Sequence, residues 1–291
     1  MVKMRRRGLG LIVLVACLAA AGCGRTPART GTAAGPLTIV LTNDDGIEAP
    51  GILALAEALR PLGQVTVAAP RHPQSGTSHA VTSTRPITVR ESERGGQRWI
   101  AIDAVPATCV RLAVEQLLPA KPDLIISGIN MGENLGTVTF YSATVAAARE
   151  AAFLGVPAIA VNLAASKDMD YGPAAAVVAT IVRAIGRDGI APMTFLNVNV
   201  PAVPREELRG IRLTRQDMRA PVDHFKKTVT PDGAIEFWPR WEHLEPNAPG
   251  TDIWAVRNGY VSVSVFGFDQ SASVPPAALQ ALKRLESLPL K

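Results

Sequence analysis

The chain has 291 residues, 47% of them hydrophobic, 19% charged and 5% aromatic, enough to bury one large α/β core or two small ones. Its formal net charge of +5 includes Lys3, Arg5, Arg6 and Arg7, and +5 − 4 leaves about +1 if the N-terminal segment is removed. With no Lys/Arg stripe interleaved with aromatics, that balance excludes a nucleic-acid binder held by charge.

Residues 1–22 read as a signal peptide. Lys3 to Arg7 supply a charged start, and the apolar run from Leu9 to Ala21 is too short to span a bilayer. Ala20-Ala21-Gly22 then leads into Cys23, a pattern that resembles a bacterial lipobox with a lipidated cysteine. Cys17 is a second candidate that would leave a shorter apolar run, and cleavage without lipid is a third reading. Residues 23–36, rich in Gly, Ala and Thr without periodicity, read as a flexible tether. Contact with a membrane is expected only through Cys23, which places the protein in the cell envelope, on the periplasmic side. Cys109 is the only cysteine well inside the folded part, so no intrachain disulfide is expected there and it reads as a small core residue.

The folded part, residues 37–291, opens with a strand over 36–42. A helix over 50–60 follows, with Ile52, Leu55, Ala56 and Leu59 on one face, and then a strand over 64–69. This βαβ unit implies a parallel pair. The first strand ends at Asn43-Asp44-Asp45-Gly46. Adjacent carboxylates beside an apolar run repel each other and are costly unless something positive lies between them. Ligands collect at the C-terminal ends of parallel strands. These four residues therefore read either as a divalent-cation site or as a solvated turn. The polar loop 70–78 places Ser75 and Ser78 beside them, as metal or phosphate contacts or as ordinary loop residues.

A hairpin is expected over 87–90 and 98–102, turning at Glu93-Arg94-Gly95-Gly96. A helix follows over 106–118 and a buried strand over 123–127. Glycines in the loop 128–136 let backbone N–H groups approach a ligand, and Asn130 lies where a neutral oxygen could complete a cation site. The helix from Tyr141 to about Phe153 carries Ser142 and Thr144 at its start, where phosphate is attracted. Ser142 is equally explained as an N-cap. A strand over 156–162, a helix over 173–185 and a strand over 193–200 complete a Rossmann-like, doubly wound, mostly parallel α/β fold. Residues 201–291 read as a β-rich extension used for oligomerisation. It comprises a strand over 210–216, an irregular segment over 217–247, a half-exposed strand over 260–265 and a helix over 276–288.

Two carboxylates, a hydroxyl and an amide oxygen from Asp44, Asp45, Ser75 and Asn130 suit Mg²⁺ or Mn²⁺, and with the helix start they point to phosphoryl chemistry. The chain has neither a Walker A loop nor a Gly-x-Gly-x-x-Gly after its first strand.

Five stretches, Leu41-Thr-Asn-Asp-Asp-Gly-Ile-Glu-Ala-Pro-Gly-Ile52, Gln74-Ser-Gly76, Ser127-Gly-Ile-Asn-Met-Gly-Glu-Asn-Leu-Gly136, Tyr141-Ser-Ala-Thr-Val-Ala-Ala-Ala148 and Thr251-Asp-Ile-Trp-Ala-Val-Arg-Asn-Gly-Tyr-Val-Ser-Val263, resemble, in order, the SurE family of stationary-phase survival proteins. The resemblance covers nearly all of the chain beyond the tether. It implies a metal-dependent phosphatase of nucleoside 5′- and 3′-monophosphates, with exopolyphosphate cut by some members, and an assembly of two or four copies. It makes Asp44, Asp45, Ser75 and Asn130 ligands of one divalent cation, and sets Asn134, Ser142 and Thr144 near the phosphate. Asp44 or Asp45 would also accept a proton. Arg71 stands where the family usually has Asp, and Ala104-Val105-Pro106-Ala107-Thr108-Cys109 where it has Gly-Thr-Pro-Ala-Asp-Cys, so the family's Thr and Asp, and the substrate contacts they would make, are lost. Alternatives are a broad phosphomonoesterase or exopolyphosphatase, and a nucleotide-binding lipoprotein without turnover.

Overall fold

A computed structural model of the chain describes residues 35–187, 189–219, 222–242, 245, 248–268, 280 and 283. The signal peptide, Cys17, Cys23 and most of the tether lie outside the described residues, as does nearly all of the helix expected over 276–288. Among the described residues no helix is long and apolar enough to cross a membrane.

The strands are β1 (Leu37–Thr42), β2 (Gly63–Pro70), β3 (Val89–Arg94), β4 (Gln97–Ile102), β5 (Leu124–Met131), β6 (Ala158–Leu163), β7 (Thr194–Val200), β8 (Ile211–Thr214), β9 (Val222–Val229), β10 (Ile235–Glu242) and β11 (Val261–Gly267). The helices are α1 (Pro50–Leu59), α2 (Pro106–Leu112), α3 (Ala143–Phe153), α4 (Gly172–Ile185) and α5 (Asp252–Arg257). Among the described residues nine strands form one sheet, in the order β3-β4-β2-β1-β5-β6-β7-β11-β8. The six from β4 to β7 are parallel, and β3 and β11 run against their neighbours β4 and β7. From β1 the chain winds outward through β2 to β4, then returns to β5 on the other side of β1. The gap between β1 and β5 is therefore the switch point of the sheet, where such folds open a crevice at their carboxyl ends.

Alternation along β1 feeds two cores. Ile39 and Leu41 join Ile52, Leu55 and Leu59 of α1 and Val178 and Val182 of α4. Val40 joins Cys109 of α2 and Val145, Ala148 and Ala151 of α3 on the other face. Cys109 is buried there as a core residue, and burial pushes its thiol pKa well up, so it is inert.

Four expectations need correction. The helix expected to end at 118 widens into a π-helical turn at Ala113–Leu117. The irregular segment over 217–247 contains β9 and β10, a separate antiparallel pair. Its apolar side chains Phe225, Val229, Ile235, Phe237 and Trp238 are exposed, so no buried face imposed a readable alternation. The strand expected to be half exposed has Val261 to Ser264 all buried, because β11 lies between β7 and β8. The Ser262 and Ser264 hydroxyls each meet Thr214 Oγ1 at 2.8 Å. Finally, β5 runs to Met131 through a register shift between Ser127 and Asn130, so Asn130 pairs within the sheet, opposite Asn162.

Candidate active site

The apolar strands β1 and β5 end side by side, with Thr42 opposite Ser127. The chain then turns. The Asn43 side-chain N–H donates to the Gly46 carbonyl at 2.8 Å, and Gly46 takes φ +98°, which only glycine adopts readily. The turn holds Asp44 inside, 4% exposed, with Asp45 half-buried beside it. Gly51, in the first turn of α1, is forced by close approach: a Cβ there would lie 2.1 Å from the Ile129 carbonyl oxygen and 3.2 Å from the Tyr171 ring.

Each carboxylate reaches a different element. Thr144 Oγ1, in the first turn of α3, donates to Asp44 Oδ1 at 2.5 Å. The Met131 N–H, at the end of β5, donates to Asp45 Oδ2 at 3.2 Å. Burial pushes the Asp44 carboxyl up to about 6, against the Thr144 hydrogen bond, and the Asp45 charge adds to the rise. Burial raises Asp45 as well. Tyr171, whose phenol is raised by burial and then by the Asp45 charge, stands on the same side; nothing in the sequence singled it out.

Three further oxygens at these strand ends are buried without a hydrogen-bond partner: Thr42 Oγ1, Asn43 Oδ1 and Ser127 Oγ. Buried polar atoms are normally satisfied, so such a cluster calls for a reason. Desolvated carboxylates amid unpaired neutral oxygens fit a hard cation with retained water. Among the described residues no group of three or more His, Cys, Asp or Glu side chains could hold a metal, so a cation here must draw on hydroxyl and amide oxygens as well as the two carboxylates.

The other expected ligands flank this centre. The loop after β2 is tied to it by Gln74 N–H donating to the Asp44 carbonyl at 2.7 Å, and exposed Ser75 follows directly. The Asn130 amide nitrogen donates to the Gly132 carbonyl at 2.7 Å, which leaves its oxygen as the end a hard cation takes. Ser142 caps α3, accepting from the Val145 N–H at 3.1 Å. Ser78 donates to the Phe140 carbonyl at 2.7 Å, a structural bond.

Asn134 belongs to a second cluster. Its side-chain N–H donates to Asn162 Oδ1 at 2.7 Å and its backbone N–H to Asn199 Oδ1 at 2.9 Å. Its carbonyl accepts from Asn197 at 2.9 Å and Asn199 at 3.2 Å. Sequence reading missed these partners; the available signal was Asn197-Val198-Asn199 near the end of an apolar strand. Where the chain departs from the family pattern, Thr108 Oγ1 accepts from the Thr82 N–H at 2.8 Å, and the Val105 N–H donates to Thr82 Oγ1 at 3.2 Å. The segment thus clasps the loop that carries Ser75.

Residues 39–223 match the model of the family described as survival protein SurE. The chain is 43% identical over 232 residues to a protein named 5′-nucleotidase SurE from Methylococcus capsulatus, covering 79% of this chain and 91% of that one. It is 44% identical over 233 residues to the protein of the same name from Pelobacter propionicus, covering 79% and 93%. The crystal structure of the SurE protein from Aquifex aeolicus superposes with a TM-score of 0.75 at 40% identity, over 86% of this chain and 99% of that chain. The carboxylate pair at the switch point thus sits in a fold and a sequence of one kind: the chain belongs to the SurE family.

Proposed function

We propose that this chain is a 5′-nucleotidase that uses one divalent cation, Mg²⁺ or Mn²⁺, to hydrolyse the phosphate monoester of nucleoside 5′- and 3′-monophosphates in the cell envelope. The observation that carries the reading is the pair of desolvated carboxylates among unpaired buried oxygens at the β1/β5 switch point. Asp44, Asp45, Ser75 and Asn130 would hold the cation, with Thr144 fixing one oxygen of Asp44. The chemistry such a cation supplies when bound is polarisation of the phosphate and acidification of a water. The positive dipole end of α3 and the glycine-rich 128–136 loop would attract anionic phosphate, and the Asp pair would take the water proton and return it to the leaving nucleoside oxygen. Water adds across the ester P–O bond to give nucleoside and inorganic phosphate.

Phosphate release from AMP by the purified protein with Mn²⁺ is the test, against EDTA and Asp44→Asn. Activity that survives either one overturns the mechanism. Including 3′-AMP, p-nitrophenyl phosphate and polyphosphate separates a nucleotidase from a broad phosphomonoesterase or exopolyphosphatase. Mn²⁺-dependent binding of AMP without phosphate release would instead support a binding lipoprotein. The exposed apolar side chains of the β9–β10 hairpin support a homodimer or homotetramer, which light scattering of the eluted protein checks. The N-terminal 22 residues and Cys23 support lipid anchoring, and Cys23→Ser should release the protein from the membrane fraction.

A further inference from the structure

The loop between β2 and β3 carries Ser75, and its conformation is not one the chain takes by default. Gly76 and Ser78 both have positive φ, +74° and +52°, and the second is strained for a residue with a Cβ. Such a loop persists only when it is held from outside. Ahead of Ser75, the Gln74 N–H is on the Asp44 carbonyl. Behind it, Ser78 gives its N–H to the Tyr141 carbonyl at 3.1 Å and its hydroxyl to that of Phe140 at 2.7 Å. Thr82 is clasped by Thr108 and Val105.

Between these ties lies an ionic one. His79 Nε2 stands 2.9 Å from Glu150 Oε2, and Arg111 Nη2 reaches Glu150 Oε1 at 2.5 Å. Glu150 is 5% exposed. Burial pushes its carboxyl up, but the His79 hydrogen bond and the Arg111 charge hold it below the usual range. Glu150 rides on α3, the helix whose first turn carries Thr144, the donor to Asp44. One helix therefore grips both Asp44 and the loop that bears Ser75.

We propose that His79 is a positioning residue: docked on the Glu150–Arg111 pair, it fixes Ser75 against Asp44 and so sets the affinity of the site for its divalent cation. This rests on Ser75 being a ligand. The pair is not a ligand itself, and its effect passes through the loop.

The test is titration of the metal-free protein with Mn²⁺, without substrate, following free Mn²⁺ by electron paramagnetic resonance. Ser75→Ala, which removes a ligand, and His79→Ala, which removes the partner that orients it, should each weaken Mn²⁺ binding by roughly tenfold. The double variant should bind no more weakly than Ser75→Ala alone, because His79 acts through Ser75. His79→Gln, which keeps an N–H donor for Glu150, should recover most of the affinity. If Ser75→Ala weakens binding but His79→Ala does not, or if the two losses multiply in the double variant, the positioning role is wrong. If wild type binds no Mn²⁺, or Ser75→Ala leaves binding unchanged, the ligand assignment itself fails, and the proposal with it. Should His79→Ala fail to fold, His79→Leu fills the volume without a donor and carries the same expectations.

Discussion

Two buried polar clusters sit at the same edge of one sheet, and they are finished differently. Around Asn134, every polar group named above has a partner: Asn162, Asn197 and Asn199 close a network on its side chain, N–H and carbonyl. Nearby Asp252, fully buried, accepts N–H groups from Gly136, Asp217 and Ile253 at 2.7, 3.0 and 2.9 Å. Around Asp44, the Thr144 hydroxyl and backbone N–H groups reach the buried carboxylate, yet Thr42, Asn43 and Ser127 keep unpaired oxygens. A polar cluster that closes on itself specifies structure, whereas one left open at the cost of stability is shaped for something that completes it. The contrast distinguishes a network complete in itself from one that leaves buried oxygens open, and under the proposed function the open one is the site.

The largest effect should come from the open cluster. Asp44→Asn should lower kcat/KM for AMP by on the order of 10³, the scale of losing a charge placed for the transition state, while the thermal midpoint at neutral pH does not fall. A loss of stability matching the loss of activity would make Asp44 a scaffold residue like Asp252.

The second effect is a pH dependence of the metal-free protein. Asp44 titrates at about 6 in the folded state, against an ordinary 3.8. Its folded pKa is raised, so its contribution to stability is fully present below pH 3.8 and is lost as pH rises through about 6. With EDTA present, denaturant unfolding should show stability falling by roughly 3 kcal/mol across that window. Asp44→Asn should flatten the trend, and Mn²⁺ at neutral pH should restore stability by binding the folded state. An unchanged slope in Asp44→Asn would assign the titration elsewhere.

The closed cluster should respond the other way round. Asn199→Ala leaves the buried Asn134 N–H without an acceptor and should cost about 2 kcal/mol in chemical unfolding, with turnover per folded molecule much less affected. A change in activity without one in stability would place the asparagines in the site. The smallest effect belongs to Ser142→Ala, which removes the α3 cap and should cost about 1 kcal/mol. If it abolishes turnover instead, Ser142 touches substrate.

The parallel core was legible because its strands are short apolar runs between amphipathic helices, a pattern that local residues carry by themselves. The carboxylate pair was legible because adjacent aspartates after an apolar run are physically odd. The β9–β10 pair was not, since strands with both faces exposed need no alternation. Nor was α5, six residues long, whose burial comes from packing against β7, β8 and β11. Tyr171 and the partners of Asn134 were not paired from the sequence because they lie far off in the chain: Asn134 meets residues 28 to 65 positions away.

The sequence alone determined the fold class, the strand-end placement of Asp44 and Asp45, and the family, because periodicity and motif are local and survive without coordinates. Only the tertiary structure decided which buried polar residues are partnered and which are left open. That distinction depends on whether a buried atom finds a partner, and partners are supplied by crossovers that bring α3, β5 and the Ser75 loop to one point.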